Sequence, residues 1–253
     1  MSSKIKTFSP IKAAGLAAAC AVIVFAGGVN ASPAFAESLK GIPVLGSAAE
    51  FFSLREYANV TDKQEIVIDR AELDGMTNKD LENSLNSKYA AQAKQLYDEY
   101  LAKIDGGVEH ISMLSGYSVK ADNGATMSVE HSIFTAQASG AQSYEYDTID
   151  TVNEVYITLP GLFKDDSYID LISTEVKRQM TEQTAADSSR VFYTDASAFD
   201  KISSDQQFYI DNDHHLVIVF DEYAVAPGVM GALEFTIPTS VIQGALAGNH
   251  YIQ

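Results

Sequence analysis

Two stretches and two isolated histidines hold the residue types that chemistry needs. Residues 211–215, "DNDHH", place Asp211, Asp213, His214 and His215 together, a set of hard and borderline metal ligands. Residues 220–238, "FDEYAVAPGVMGALEFTIP", carry the carboxylates Asp221, Glu222 and Glu234 around a Pro-Gly turn. Carboxylates in pairs do general acid and base work. His110 and His131 stand apart from both stretches. None of these makes a convincing centre. No glutamate closes a calcium loop after Asp211, and adjacent histidines in an extended chain point to opposite faces. The "DNDHH" run therefore reads as a polar turn between strands Phe208–Ile210 and Leu216–Phe220. His110 and His131 have no evident Ser or Cys partner and read as structural. With 34 acidic residues, no carboxylate pair singles itself out. A phosphate-cradling loop, a serine elbow and a paired-histidine zinc helix are all missing from the sequence. The expectation is a non-enzyme with no catalytic residues, no metal and no cofactor. A deep cleft around His131, or His110 beside a carboxylate, would revive the enzyme reading.

The elements that must carry these residues are partly legible. Leu233, Phe235 and Ile237 share one strand face, and Ala232, Glu234 and Thr236 share the other, so Glu234 is expected on the solvent side. Pro227 and Gly228 turn the chain between that strand and "HLVIVF" (215–220), which makes the stretch a corner. Leu81, Leu85, Tyr89, Ala93, Leu96, Tyr97, Tyr100, Leu101 and Ile104 fall on one helical face, opened by Thr77 with Asp80 and stopped by Gly106 and Gly107. A second helix is predicted from Asp166 to about Gln183, with Ile169, Ile172, Val176 and Met180 inward. Strands are predicted at 65–69, 111–122, 126–136, 142–150, 154–159, 206–211, 215–220 and 232–238, with "DNG" (122–124) and "ASGA" (138–141) as turns. The fold class is α+β: antiparallel sheets packed by two main helices.

Compartment and charge come from the ends of the composition. Lys4, Lys6 and Lys12 precede an uncharged, mostly apolar run, and "NASPAFAES" follows with Ala34 and Ala36 in the small-residue cleavage pattern. The run reads as an export leader cut after Ala36; the other reading is an uncleaved membrane anchor, for which the run is short. Cys20 lies inside the apolar run, so a lipoprotein is disfavoured. Cleavage would remove this single cysteine and leave no disulfide. The whole chain has a net charge of −17, and loss of the three leader lysines would make it −20, 14 basic against 34 acidic residues. Such a surface repels nucleic acid and anionic lipid and draws basic partners at long range.

The segment "FYIDNDHHLVIVFDEYAVAPGVMGALEFTIP" resembles the C-terminal signature of the extracellular domain of anti-sigma-V factors, a domain also found beside some peptidoglycan deacetylases. Its matching parts are "FYID", "LVIVF", "EY" with "VAPG", and "EFTIP". Upstream, "LPGLFKDDSYIDLISTEVKRQM" and "LDGMTNKDLENSLN" resemble the family's helix-opening segments, so the likeness spans about residues 65–245. Where the family often shows a Gly-Gly-Ala-His turn, this chain has Ser139, Gly140, Ala141 and Gln142, and the histidine is missing. The family's cytoplasmic sigma-binding segment is not expected in the dozen or so residues before the apolar run, and a deacetylase domain is not expected after the signature. The resemblance thus implies an exported α+β sensor or binding domain, found in the cell envelope or secreted, and held at the membrane only if the leader is uncleaved. In the anti-sigma-V case that domain binds lysozyme, so the expected partner is a basic protein such as lysozyme. Peptidoglycan, bound by an accessory module, is the alternative. The expected organisation is a leader, 1–36; a linker or arm, 37–62; an N-terminal α+β subdomain, 63–160; and a C-terminal one, 161–253. The expected binding loop is Ser139, Gly140, Gln142, Tyr144 and Tyr146. Its tyrosines would serve as interface anchors, although two tyrosines on one strand face can instead both pack inward.

Overall fold

The computed structural model describes residues 50–195 and 197–253. The expected leader, its cut after Ala36, Cys20 and the start of the expected arm lie outside those residues. Six strands follow one another in hydrogen-bonded order: β1 (Glu50–Val60), β2 (Gln64–Asp74), β3 (Ile111–Asp122), β4 (Thr126–Ala136), β5 (Gly140–Asp150) and β6 (Val155–Ile157). A separate three-stranded sheet has the order β7 (Phe208–Ile210), β8 (Leu216–Phe220), β9 (Leu233–Ile237). The helices are α1 (Lys79–Asp105), α2 (Ser167–Ala186) and the short α3 (Thr239–Ile242). This is the expected α+β class. The chain divides into two compact units, one holding residues up to Ser118 with His131–Gly140, the other Val119–Glu130 with Ala141–Gln253. This division runs through β3 and β4.

The first unit is built on a crossover. β2 and β3 are parallel, with Gln64 opposite Ile111 and Ile68 opposite Ser115, and α1 makes the connection that parallel strands require. Ile66 and Ile68 of β2 pack against Ala93, Leu96 and Tyr100 of α1 and against Ile111 and Met113 of β3. Asn78, one residue after the expected Thr77, caps α1: its side chain accepts the Leu81 N–H at 3.1 Å. Asn86 acts as a surrogate strand partner, accepting the Leu73 N–H and donating to the Leu73 carbonyl, both at 2.8 Å.

The expected arm is, from Glu50 onward, an ordered strand. β1 runs antiparallel to β2 with Glu50 opposite Asp74, and its register shifts at a bulge between Arg55 and Tyr57. The bulge re-aims Tyr57, whose ring stacks on Tyr97 of α1 at 4.2 Å. Because the bulge interrupts strict alternation, "EFFSLREYANV" carries no clean period-two signal.

In the second unit, "LVIVF" is a central strand buried on both faces, which explains its continuous apolar run. Leu216, Ile218 and Phe220 join the core formed with Tyr168, Ile172, Val176 and Met180 of α2. Tyr168 takes an inward place expected for Ile169, which is only partly buried. Val217 and Val219 face Ala121, Tyr144, Tyr146 and Tyr209. The start of α2 is held by Asp165, which accepts the Ser167 N–H at 2.9 Å. Among the described residues no helix is long and apolar enough to cross a membrane.

In the first unit, Glu65 of β2 is buried, and its carboxyl takes the Ser112 hydroxyl hydrogen bond at 3.0 Å. Burial pushes this carboxyl above its ordinary value of 4.5, and the Ser112 bond offsets only part of that. An acid whose pKa rises on folding favours the fold below its unfolded value and loses that advantage as pH climbs through the folded value. Glu65→Gln should therefore match wild type near pH 4 and gain on it as the pH rises to 7. Thermal unfolding at both pH values checks this, with an expected gain at pH 7 of about 2–4 °C.

Candidate binding surface of the C-terminal unit

β6 covers only Thr148–Asp150 of β5. The strand edge farther back must satisfy its backbone donors some other way. Three side chains from the C-terminal part do so at every second residue. Glu222 accepts the Gln142 N–H at 2.9 Å, Asp221 the Tyr144 N–H at 2.7 Å, and Gln207 the Tyr146 N–H at 2.8 Å. The Glu222 N–H returns a bond to the Gln142 carbonyl at 3.3 Å. The acidic pair that follows β8 is thus the clamp of a corner. Burial pushes the Asp221 carboxyl up, while the Tyr144 N–H pulls it partly back.

The packing of β5 corrects the expected binding loop. Gln142, Tyr144 and Tyr146 are all buried, so neither tyrosine is an exposed anchor. Their shared face packs on Tyr209, Val217 and Val219. Gly140 sits close under Phe134, where an added Cβ would lie 2.8 Å from the ring, and Ser139 alone of the five is exposed. Beneath the tyrosines lies a polar cluster. Tyr146 donates to Glu130 at 2.9 Å and Tyr209 donates to Glu234 at 2.7 Å. Lys120 donates to Glu234 at 2.7 Å, lies 3.4 Å from Glu130, and sits over the Tyr209 ring. Burial works against the Lys120 ammonium, yet Glu130 and Glu234 outweigh it and raise its pKa. Tyr144, Tyr146 and Tyr209 are all pushed well above the ordinary phenol range, first by burial and then by these carboxylates. Glu234 points outward as expected but also holds Lys120 and Tyr209.

The residues after the clamp form a loop with a buried foot and an exposed crown. Val225 and Ala226 are buried, and the Val225 carbonyl accepts the Tyr193 N–H at 2.9 Å. Tyr223 has a left-handed backbone, φ 67°, unusual for a bulky residue. Its ring rests on Gly228, where a Cβ would come within 2.2 Å of the Tyr223 ring, so a larger residue there would push the ring aside. Tyr223 is 48% exposed and Val229 is 92% exposed. No sequence signal marks this crown: "VAPGVMG" reads as a turn, and exposure of its valine depends on the packing of the foot.

The other candidates resolve differently. His131 does have a serine partner, Ser115, at 2.7 Å, joined across β3 and β4 and invisible in the sequence. Both residues are buried, and His131 stacks on Tyr117 at 4.0 Å, the setting of a core histidine. His110 is exposed. Asp211, Asp213 and His215 bring ligand atoms within 4.8 Å of one another. Asp211 is already engaged, accepting the Asp213 and His215 N–H groups at 2.9 and 2.8 Å, as the capping residue of a turn.

A family model described as a domain of unknown function, DUF4179, matches residues 6–139, and one described as a protein of unknown function, DUF3298, matches residues 161–240. The anti-sigma-V factor RsiV of Bacillus subtilis (strain 168) is 41% identical over 241 residues, 94% of this chain and 85% of that protein. A DUF3298-family crystal structure from Bacteroides fragilis aligns with TM-score 0.59 and 18% identity, covering 80% of this chain and 95% of its own. One from Pseudomonas aeruginosa aligns with TM-score 0.61 and 11% identity, covering 85% and 98%. At these identities the two structures speak to the fold alone.

Removing Lys120 leaves Glu130 buried without its cation. Lys120→Met is expected to lower stability by about 2–3 kcal/mol, below the roughly 3–5 kcal/mol for breaking a fully buried ion pair because the Lys120 side chain is 28% exposed. Adding Glu130→Gln should restore part of the loss; urea unfolding of both variants measures it.

Proposed function

This chain belongs to the anti-sigma-V factor family, and from that premise we propose that its described part is an extracytoplasmic capture domain that binds a basic cell-wall hydrolase such as lysozyme without catalysis. The observation that carries this reading is the crown of the C-terminal loop. Val229 stands almost fully exposed beside Tyr223 on a loop whose foot is buried and whose entry is clamped to β5. An exposed apolar tip on a fixed base suits insertion into a partner's cleft, since little ordering remains to be done on binding. Charge supports the choice of a basic partner: a net −17 raises the encounter rate with a cation and fades with salt. Relatedness to an anti-sigma factor fits a sensing role, in which occupancy of the domain is the signal. The peptidoglycan reading is weaker. Tyr89, Tyr117, Tyr144, Tyr146, Tyr168 and Tyr209 are buried, and Tyr57 and Tyr97 stack on each other, so these rings do not form an open stacking platform.

Titration calorimetry of the full chain in mild detergent against a basic lysozyme, at low and moderate salt, tests the proposal. The expected result is saturable one-to-one binding that persists at moderate salt. Val229→Ser should weaken it about fivefold or more while leaving the thermal midpoint unchanged, because the side chain is outside the core. Heat that disappears with modest salt would reduce the interaction to charge alone. Binding to peptidoglycan fragments with none to lysozyme would favour the accessory-module alternative.

A further inference from the structure

We infer that Asp221 and Glu222 are positioning residues for the Tyr223–Met230 crown, acting as backbone acceptors that register the loop on β5 rather than as charges presented to a basic partner. The inference rests on the capture reading for what the crown binds. In an acidic protein, two carboxylates beside an exposed apolar tip invite assignment as electrostatic contacts. The geometry points the other way. The two accept from amides two residues apart on β5, at 2.7 and 2.9 Å, and both side chains are partly buried. Glu222 also bonds through its own N–H to the Gln142 carbonyl. Together these bonds make a short, side-chain-assisted extension of the sheet where β6 has ended. The Asp221 carbonyl then accepts the Ala224 N–H at 3.0 Å, which turns the chain directly into the crown. That tight turn places Tyr223 in its left-handed conformation with its ring on Gly228. The clamp therefore sets the angle at which the crown leaves the sheet. The upward push of burial on Asp221 agrees with a carboxylate turned away from solvent.

The two roles separate by comparing amide with alanine replacements. Asn and Gln keep a carbonyl oxygen that can accept from the β5 amides but carry no charge; alanine keeps neither. Four variants, Asp221→Asn, Asp221→Ala, Glu222→Gln and Glu222→Ala, would be read by hydrogen exchange of the 142–146 and 222–231 segments and by lysozyme affinity at two salt concentrations. The expected result is about tenfold faster exchange in both segments for the alanine variants. Affinity should fall by a similar factor, while the amide variants stay within about twofold of wild type. Equal loss of affinity in amide and alanine variants, with a flatter salt dependence, would make the carboxylates charged contacts and overturn the inference. Unchanged exchange in the alanine variants would overturn it as well. If wild type failed to bind lysozyme, the capture reading would fall, but the exchange comparison would still decide the anchoring.

Discussion

The unpaired edge of β5 is the constraint around which the C-terminal unit is arranged. A strand that outruns its neighbour leaves amide donors that must be satisfied, and an open edge also invites unwanted pairing. Here Glu222, Asp221 and Gln207 take the amides of Gln142, Tyr144 and Tyr146. Because the accepting side chains come from the ends of β8 and the approach to β7, meeting this need also locks the β7–β8–β9 sheet in register with β5. The same bonds start the loop whose crown is exposed, while packing on Tyr209, Val217 and Val219 keeps Tyr144 and Tyr146 turned inward.

The inward turn brings an electrostatic problem, since the protein is strongly acidic and several carboxylates are buried. Each is met locally. Glu130 is compensated by Lys120 and by the Tyr146 hydroxyl. Asp150, fully buried, accepts the Val152 and Asn153 N–H groups, the Asn153 amide and the Tyr251 hydroxyl, and although burial pushes its pKa up these bonds hold it below the ordinary value. Glu65, with only Ser112, is the least compensated of those described. Buried charge is tolerated where bonds replace the lost hydration.

The exposed acids are a separate population. They set the long-range field, which affects how fast a basic partner arrives, while the specificity of any capture would lie in the crown. That division assigns solvated charge to rate and shaped apolar surface to residence time. It also explains why two neighbouring acids, Asp221 and Glu222, belong with the scaffold and not with the field.

Much of the scaffold was determined by the sequence alone. A period-two pattern places β9, a period-3.6 pattern both long helices and a continuous apolar run β8, while turn signals bound β3 and β4, because each of these signals is local. The α+β class follows from them, and so does the resemblance to the anti-sigma-V family. Strand β1 was hidden because its bulge breaks the alternation and its key partner, Tyr97, lies in a distant helix. The Ser115–His131 pair was hidden for the same reason, being joined only across strands. Most of all, the sequence left open which face of β5 is inside. Tyr144 and Tyr146 look alike as anchors or as core, and the difference is made by Tyr209, Val217 and Val219, which come much later in the chain and cover their face. Periodicity says that two side chains share a face; only the tertiary partner that covers that face decides whether it meets water or protein.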